Sequence, residues 1–176
     1  SPTVVSLDGN VIDLTEPLSR LGFQNGSNWA WRASESGQVA ITTDSTIEIW
    51  DPRTEQFVRS VDKPVDCAPW YGGISTAFTG TGDDGSVVVK CDGRVVSWDL
   101  ASTDRAPRWT QSVPNQSYGT SLLVSPDGSR VVAPTGNSLQ LLDGATGELI
   151  RESPGAAINV AFSPDGTIVA AVSWSG

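Results

Sequence analysis

The chain has 176 residues, of which 38% are hydrophobic, so it suits a single domain with a proper core, and it holds no apolar run near the roughly 20 residues of a membrane helix. Eleven basic and twenty acidic side chains give a formal net charge of −9, which repels phosphate backbones and anionic lipids, so neither nucleic acid nor membrane insertion is expected. The sequence has no histidine, which removes imidazole bases and histidine metal sites, and no catalytic residue, metal or cofactor is expected.

Short alternating runs of apolar and polar residues follow one another along the chain, separated by turns rich in Asp, Gly and Asn. This pattern predicts antiparallel strands joined by tight turns, with Gly and Asn supplying the positive φ. The chain begins with two strands over residues 1–14 and a polar loop over 15–28. Three sets of four strands, named a to d, are predicted at about 29–61, 74–113 and 120–152, and a final a and b at about 158–172.

An apolar residue followed by Asp ends the third strand of each set. The pair occurs at Leu7-Asp8, Trp50-Asp51, Trp98-Asp99 and Leu142-Asp143, in steps of 43, 48 and 44 residues. Trp50, Trp98 and Leu142 occupy equivalent positions, so they are predicted to pack the repeats against one another. Asp127-Gly128 and Asp165-Gly166 fall where each repeat needs a turn, and we therefore interpret them as turns, with calcium ligation as the alternative.

These repeats resemble WD-repeat β-propellers, particularly bacterial ones. The resemblance rests on Ser125-Pro126-Asp127-Gly128 and its copy at 163–166, on the two Trp-Asp pairs and on the turn at 143–147, and it covers essentially the whole chain. It implies an all-β propeller of four-stranded antiparallel blades with a scaffold role. The Gly-His dipeptide of the family is absent, so the usual Asp-His-Ser-Trp network cannot form.

Strand counting predicts that residues 1–14 supply strands c and d of the blade whose strands a and b lie at 158–172. Residues 173–176 followed by 1–9 closely match residues 133–144. Three arrangements satisfy this register: a closed four-bladed ring, half of an eight-bladed ring formed by two chains, or a fragment of a larger propeller. A homodimer, or pairing with further blades of the same protein, is accordingly an expected partner state.

Connections from d to a and from b to c lie at the same end of the blades, which we call the connection face. Cys67 and Cys91 both belong to this face and can meet as a disulfide, which would indicate an extracytoplasmic compartment. Two free thiols in a cytoplasmic protein are the alternative. Loops on this face also carry the candidate partner-binding residues, which are Arg20, Phe23, Trp70, Tyr71, Tyr118 and Trp174.

The sequence therefore predicts a non-catalytic interaction or sensing scaffold that binds a protein or peptide through loops on the connection face. One alternative is a propeller enzyme, or a protein that binds small molecules or glycans in a central channel. Another is a structural or sensor module of a larger bacterial signalling protein.

Overall fold

The computed structural model describes residues 3–5, 11–13, 15–20, 31–33, 37–43, 45–64, 75–79, 85–91, 93–113, 121–155, 157 and 159–172. Within these ranges the chain forms one short helix, α1, at Thr15–Arg20, and sixteen strands. The strands are β1 Thr3–Val5, β2 Val11–Asp13, β3 Trp31–Ala33, β4 Val39–Thr42, β5 Thr46–Asp51, β6 Gln56–Asp62, β7 Ser75–Thr79, β8 Ser86–Cys91, β9 Arg94–Asp99, β10 Trp109–Ser112, β11 Leu123–Val124, β12 Arg130–Pro134, β13 Ser138–Asp143, β14 Leu149–Pro154, β15 Asn159–Phe162 and β16 Val169–Val172.

Three four-stranded antiparallel sheets follow each other in the order β3-β4-β5-β6, β7-β8-β9-β10 and β11-β12-β13-β14. Each sheet is a meander in which consecutive strands pair, as short turns between alternating strands require. The first strand of each sheet packs against the first strand of the next, from β3 to β7, to β11 and to β15. The prediction of an all-β propeller built from four-stranded blades is thereby confirmed, and we number the three complete sheets blades 1, 2 and 3.

The hydrophobic core lies between successive blades. Successive residues of a strand point to opposite sides of the sheet, so Val87 and Val89 of β8 pack toward blade 1 while Val88 packs toward blade 3. Both faces of a central blade are therefore covered, and this explains why the run Ser86–Cys91 is buried throughout. Trp50, Trp98 and Leu142 are fully buried at the ends of their third strands.

The remaining four strands form two hairpins, which the repeats predict to be the two halves of a fourth blade. β1 pairs with β2, and β15 pairs with β16, each as a two-stranded antiparallel sheet. The chain thus holds the four blades' worth of strands that the repeats predict. Among the described strands, the two halves do not pair with each other.

The prediction of a loop over 15–28 is wrong at its start, where Thr15–Arg20 form α1. The proline of this segment lies in the first helical turn and loses no hydrogen bond there, because the N–H groups of that turn have no helical partner. Residues 21–28 lie outside the described ranges. Among the described residues, no helix is long and apolar enough to cross a bilayer.

Candidate functional site

Most of the residues that the sequence nominates for partner binding fall outside the described ranges. These are Phe23, Trp70, Tyr71, Tyr118 and Trp174. The sixth, Arg20, is exposed at the last residue of α1. The described part of the connection face comprises the b-to-c turns and the strand ends beneath them.

A threonine hydroxyl organises the b-to-c turn in blades 1 and 3. Thr135 Oγ1 accepts a hydrogen bond from the backbone N–H of Ser138 at 2.9 Å and donates to the Ser138 carbonyl at 3.0 Å. Thr43 Oγ1 makes the same two bonds with Thr46, at 2.8 and 3.1 Å. Gly136 and Asn137 do not have positive φ, in contrast to the general expectation for Gly and Asn in these turns, because the Thr135 hydroxyl closes the turn.

Cys91 occupies the equivalent position in blade 2. Cys91 lies opposite Arg94, as Thr43 lies opposite Thr46 and Thr135 opposite Ser138. In this blade the turn contains Gly93, which has φ +71°. Cys91 is buried and disulfide-bonded. The chain has one further cysteine, Cys67, which lies outside the described residues, so the Cys67–Cys91 pairing stays a prediction. We call Thr43, Cys91 and Thr135 the b–c rim.

Lys90 lies directly below the rim, in the middle of an apolar strand. Its ammonium group donates a hydrogen bond to the backbone carbonyl of Pro134 in blade 3. Burial lowers the pKa of Lys90 to about 8, because removing the charged form from water is unfavourable. The lysine therefore joins two neighbouring blades close to the connection face, a role that the sequence interpretation missed. The run Val87-Val88-Val89-Lys90 held the signal, since it places a cation inside a buried strand.

The aspartates that end the third strands hold the c-to-d turns. Asp51, Asp99 and Asp143 each accept a backbone N–H from the residue two positions later, at 2.9 Å in all three blades. The Arg53 guanidinium, at 2.7 Å, lowers the pKa of Asp51, and the N–H of Ala145 lowers the pKa of Asp143. These carboxylates are therefore turn-forming groups.

The aspartates of the two Ser-Pro-Asp-Gly turns are held in the same way. Asp127 accepts hydrogen bonds from the Ser125 hydroxyl at 2.6 Å and from the Ser129 N–H at 3.0 Å. The Ser163 hydroxyl and the Thr167 N–H make the matching bonds to Asp165 at 2.6 and 3.1 Å. The serine hydroxyl is the largest cause that lowers the pKa of each aspartate to about 2. This geometry favours the turn interpretation over calcium ligation, and no group of potential metal ligands occurs among the described residues.

The opposite end of the blades, which carries the a-to-b and c-to-d turns, is the turn face. A groove of about 220 Å³ lies there between blades 2 and 3, and the turn at Asp127–Ser129 forms part of its wall. Arg108 and Arg130 line it together with Asp143, and Arg130 contacts that carboxylate at 3.4 Å. Both signs of charge are present and partly paired. The groove is therefore a contact between turns and lacks the excess positive charge of an anion site.

Comparison with solved structures shows the same fold. A computationally designed protein, Ika4, aligns with a TM-score of 0.60 and 24% identity over 88% of this chain and 91% of its own. A chain of a mitotic checkpoint complex aligns with a TM-score of 0.59 and 19% identity over 84% of this chain. This chain spans about half of that longer molecule, since the match covers 47% of it. No protein-family sequence profile matches the chain. The chain therefore shares the all-β fold of these structures, a propeller of four-stranded antiparallel blades.

Proposed function

We propose that the chain is a non-catalytic scaffold that binds a protein or peptide through the loops of its connection face. The observation that carries this proposal is the b–c rim. Thr43, Cys91 and Thr135 occupy the same register position in three successive blades. The two threonine hydroxyls close their own b-to-c turns, and Cys91 is disulfide-bonded. The sequence predicts that the loops with the aromatic residues belong to the same face.

A fixed rim favours binding because it lowers the ordering cost of association. Loops mounted on rigid blades lose less conformational freedom when a partner binds, so more of the contact energy appears as affinity. Trp and Tyr bury large areas with few rotatable bonds, which is why they dominate interface energetics. On this proposal, Trp70 and Tyr71 supply the main contacts and no covalent bond is made or broken.

A comparative pull-down tests this proposal. The chain is immobilised, partners are recovered from cell extract and from medium, and the recovery is repeated with Trp70→Ala/Tyr71→Ala. We expect the double variant to lose partners that the wild type retains, since truncating a hot-spot aromatic costs at least about 2 kcal/mol, or roughly 30-fold in affinity.

The matched control is Thr103→Ala/Pro107→Ala, which alters two exposed residues of a c-to-d turn on the turn face. Circular dichroism and melting temperature establish that both variants are folded. Equal recovery by the aromatic variant and the wild type would remove the connection face from the proposal. Loss of partners in the control alone would move the site to the turn face.

A further inference from the structure

The fourth blade exposes backbone and side chains that the complete blades cover. β16 is the second strand of its sheet, and its residues correspond to those of β12 at an offset of 38 along the chain. Val131 of β12 is fully buried, whereas its counterpart Val169 is 37% exposed and Val172, at the end of β16, is 62% exposed. Val131 is buried in the cluster between blades 2 and 3, and β13 lies beside β12 in the same sheet. No described strand lies on the outer side of β16.

Among the described strands, none pairs with the outward edge of β16. The N–H of Ile168 donates a hydrogen bond to the Ser163 hydroxyl, and the Ile168 carbonyl accepts one from the Ser163 N–H, both at 2.9 Å. The backbone groups of Ile168 therefore face β15. Backbone groups alternate along a strand, so those of Val169 and Ala171 face away from β15. Such an edge is a template for a further strand.

Strand β14 of blade 3 is exposed along its whole length. The equivalent outer strands of blades 1 and 2 bury Val61 and Trp109, which belong to the clusters between blades. Leu149 and Ile150 of β14 have no such cover and are 45% and 48% exposed. The described chain therefore lacks cover at the two places where strands c and d of a fourth blade would sit.

The hairpin β1–β2 has the register that this gap requires. Alignment of the repeats places β1 at the position where β13 starts. The pair Pro134–Leu139 of blade 3 then predicts that Val172 lies opposite Val4. In the same way, the pair Ala133–Gln140 predicts that Ala171 lies opposite Val5. In this chain the hairpin forms a separate two-stranded sheet. Among the described strands, β15 packs against β11 but makes no comparable contact with β3.

We propose that the hairpin β1–β2 of a second copy completes the blade that β15–β16 begins. Two copies related by a twofold axis would exchange their hairpins reciprocally and close a ring of eight blades. This closure removes both free sheet edges and covers Val169, Val172 and the apolar residues of β14. The chain's own hairpin and residues of a longer chain are the other candidate occupants of this edge.

Disulfide trapping distinguishes these occupants. Val4 and Val172 are predicted to form a non-hydrogen-bonded pair, the closest type of cross-strand pair, with Cα atoms about 4.5 Å apart and within disulfide range. The variant Val4→Cys/Val172→Cys is oxidised mildly and run on a non-reducing denaturing gel. We expect a covalent dimer of twice the 18.5 kDa chain mass, which reductant returns to the monomer.

Each remaining result counts against the proposal. A monomer with an internal bridge, detected by peptide mapping, would show that the chain closes on itself. Failure to bridge in a folded variant would show that neither hairpin occupies the edge. Val4→Cys and Val172→Cys alone are the controls for random pairing between exposed thiols.

An independent arm uses the mass of the unmodified assembly. Light scattering of the wild type over a wide range of concentrations is expected to give twice the chain mass. Ala171→Pro removes the N–H that faces outward while leaving the bonds to β15, so this variant is expected to be monomeric with an unchanged β-sheet spectrum. Ile168→Arg is the matched control, since it introduces the residue that blade 3 has at this position, and it should remain dimeric. A monomeric wild type, or a dimer that Ala171→Pro leaves intact, would overturn the proposal.

Discussion

The Ser-Pro-Asp-Gly turns show how a four-residue sequence defines a local structure. Pro fits the fixed φ of the second turn position, and the N–H of Gly128 closes the turn on the Ser125 carbonyl at 2.8 Å. Gly128 then has φ +72°, which a side chain would disfavour. Asp127 completes the turn by accepting the serine hydroxyl. The copy at 163–166 repeats the closing bond at 2.9 Å.

We predict that Ser125→Ala raises the pKa of Asp127 from about 2 toward its usual range, because it removes the largest cause of the shift. Asp165 keeps its own serine and is the internal control, with a pKa that should stay at about 2. Carbon NMR titration of the carboxyl groups measures both. A parallel rise at Asp165, or no rise at Asp127, would contradict the assignment.

The same shifts give a direction for acid stability. A carboxylate whose folded pKa is lowered stabilises the fold above its ordinary pKa near 3.8, and this contribution is lost as the pH falls from there to about 2. In the Ser125→Ala variant, Asp127 should contribute less to this loss of stability at low pH. Acid unfolding followed by circular dichroism therefore supplies a second readout of the same bond.

Contacts between elements depend on a close approach between a strand of one blade and a turn of the next. Trp109, on the outer strand of blade 2, donates its indole N–H to the Gly144 carbonyl of blade 3 at 3.2 Å. Its ring also lies against Gly147, where a Cβ would come within 2.5 Å of Trp109 Cε3. Gly147 has φ +75°, so both the backbone conformation and the packing require glycine there.

We predict that Gly147→Ala destabilises the protein by more than about 2 kcal/mol, since it combines a strained φ with a collision in the core. Gly37→Ala is the matched control, because Gly37 has φ +88° with no atom near its missing Cβ, and its cost should be only about 1–2 kcal/mol. Urea unfolding of both variants measures the difference. Equal losses would show that Trp109 accommodates the methyl group.

Polar links across the molecule join neighbouring blades near the connection face. Lys90 bonds to the Pro134 carbonyl between blades 2 and 3, and the hydroxyls of Thr42 and Thr76 lie 3.2 Å apart between blades 1 and 2. These links supplement the apolar clusters, which the strands share from blade to blade. The blades are therefore coupled, and a change in the charge of one lysine affects an interface.

We predict that stability rises as the pH increases from about 8 to about 10.5, because buried Lys90 loses its proton before the unfolded chain does. Below pH 8 the lysine is charged in both states and the full burial cost applies. Relative to Lys90→Met, which does not titrate, the wild type should gain up to about 3 kcal/mol over this window, at about 1.4 kcal/mol per unit of pKa difference. Urea unfolding across the pH range checks this, and a constant difference between the two proteins would contradict it.

The Cys67–Cys91 bridge is predicted to tie a d-to-a connection to the b–c rim. A loop of about 24 residues should contribute roughly 3 kcal/mol through the unfolded chain, so reduction should lower the free energy of unfolding by that order. Alkylation in denaturant followed by mass spectrometry is expected to add nothing before reduction and two groups after it. Labelling without reductant would establish two free thiols.

Local sequence determined the turns and the strands of this protein, because a Gly at positive φ, an Asp that binds its own backbone and an alternating strand act within a few residues. The repeat of Trp50, Trp98 and Leu142 therefore predicted equivalent packing positions, and the resemblance to WD-repeat propellers implied that the repeats are blades. The helix at Thr15–Arg20 was missed because six residues are too few to show a helical period.

Only the tertiary structure decided which distant residues meet. The approach of Lys90 to Pro134 and of Trp109 to Gly144 depends on the angle between adjacent blades, which no spacing along the chain encodes. The separation of β1–β2 from β15–β16 has the same origin, since the register of the repeats fits every blade boundary equally well. Pairing between consecutive strands can be predicted from residues that are close in sequence. Closure of the ring of blades depends on the angles between all successive blades.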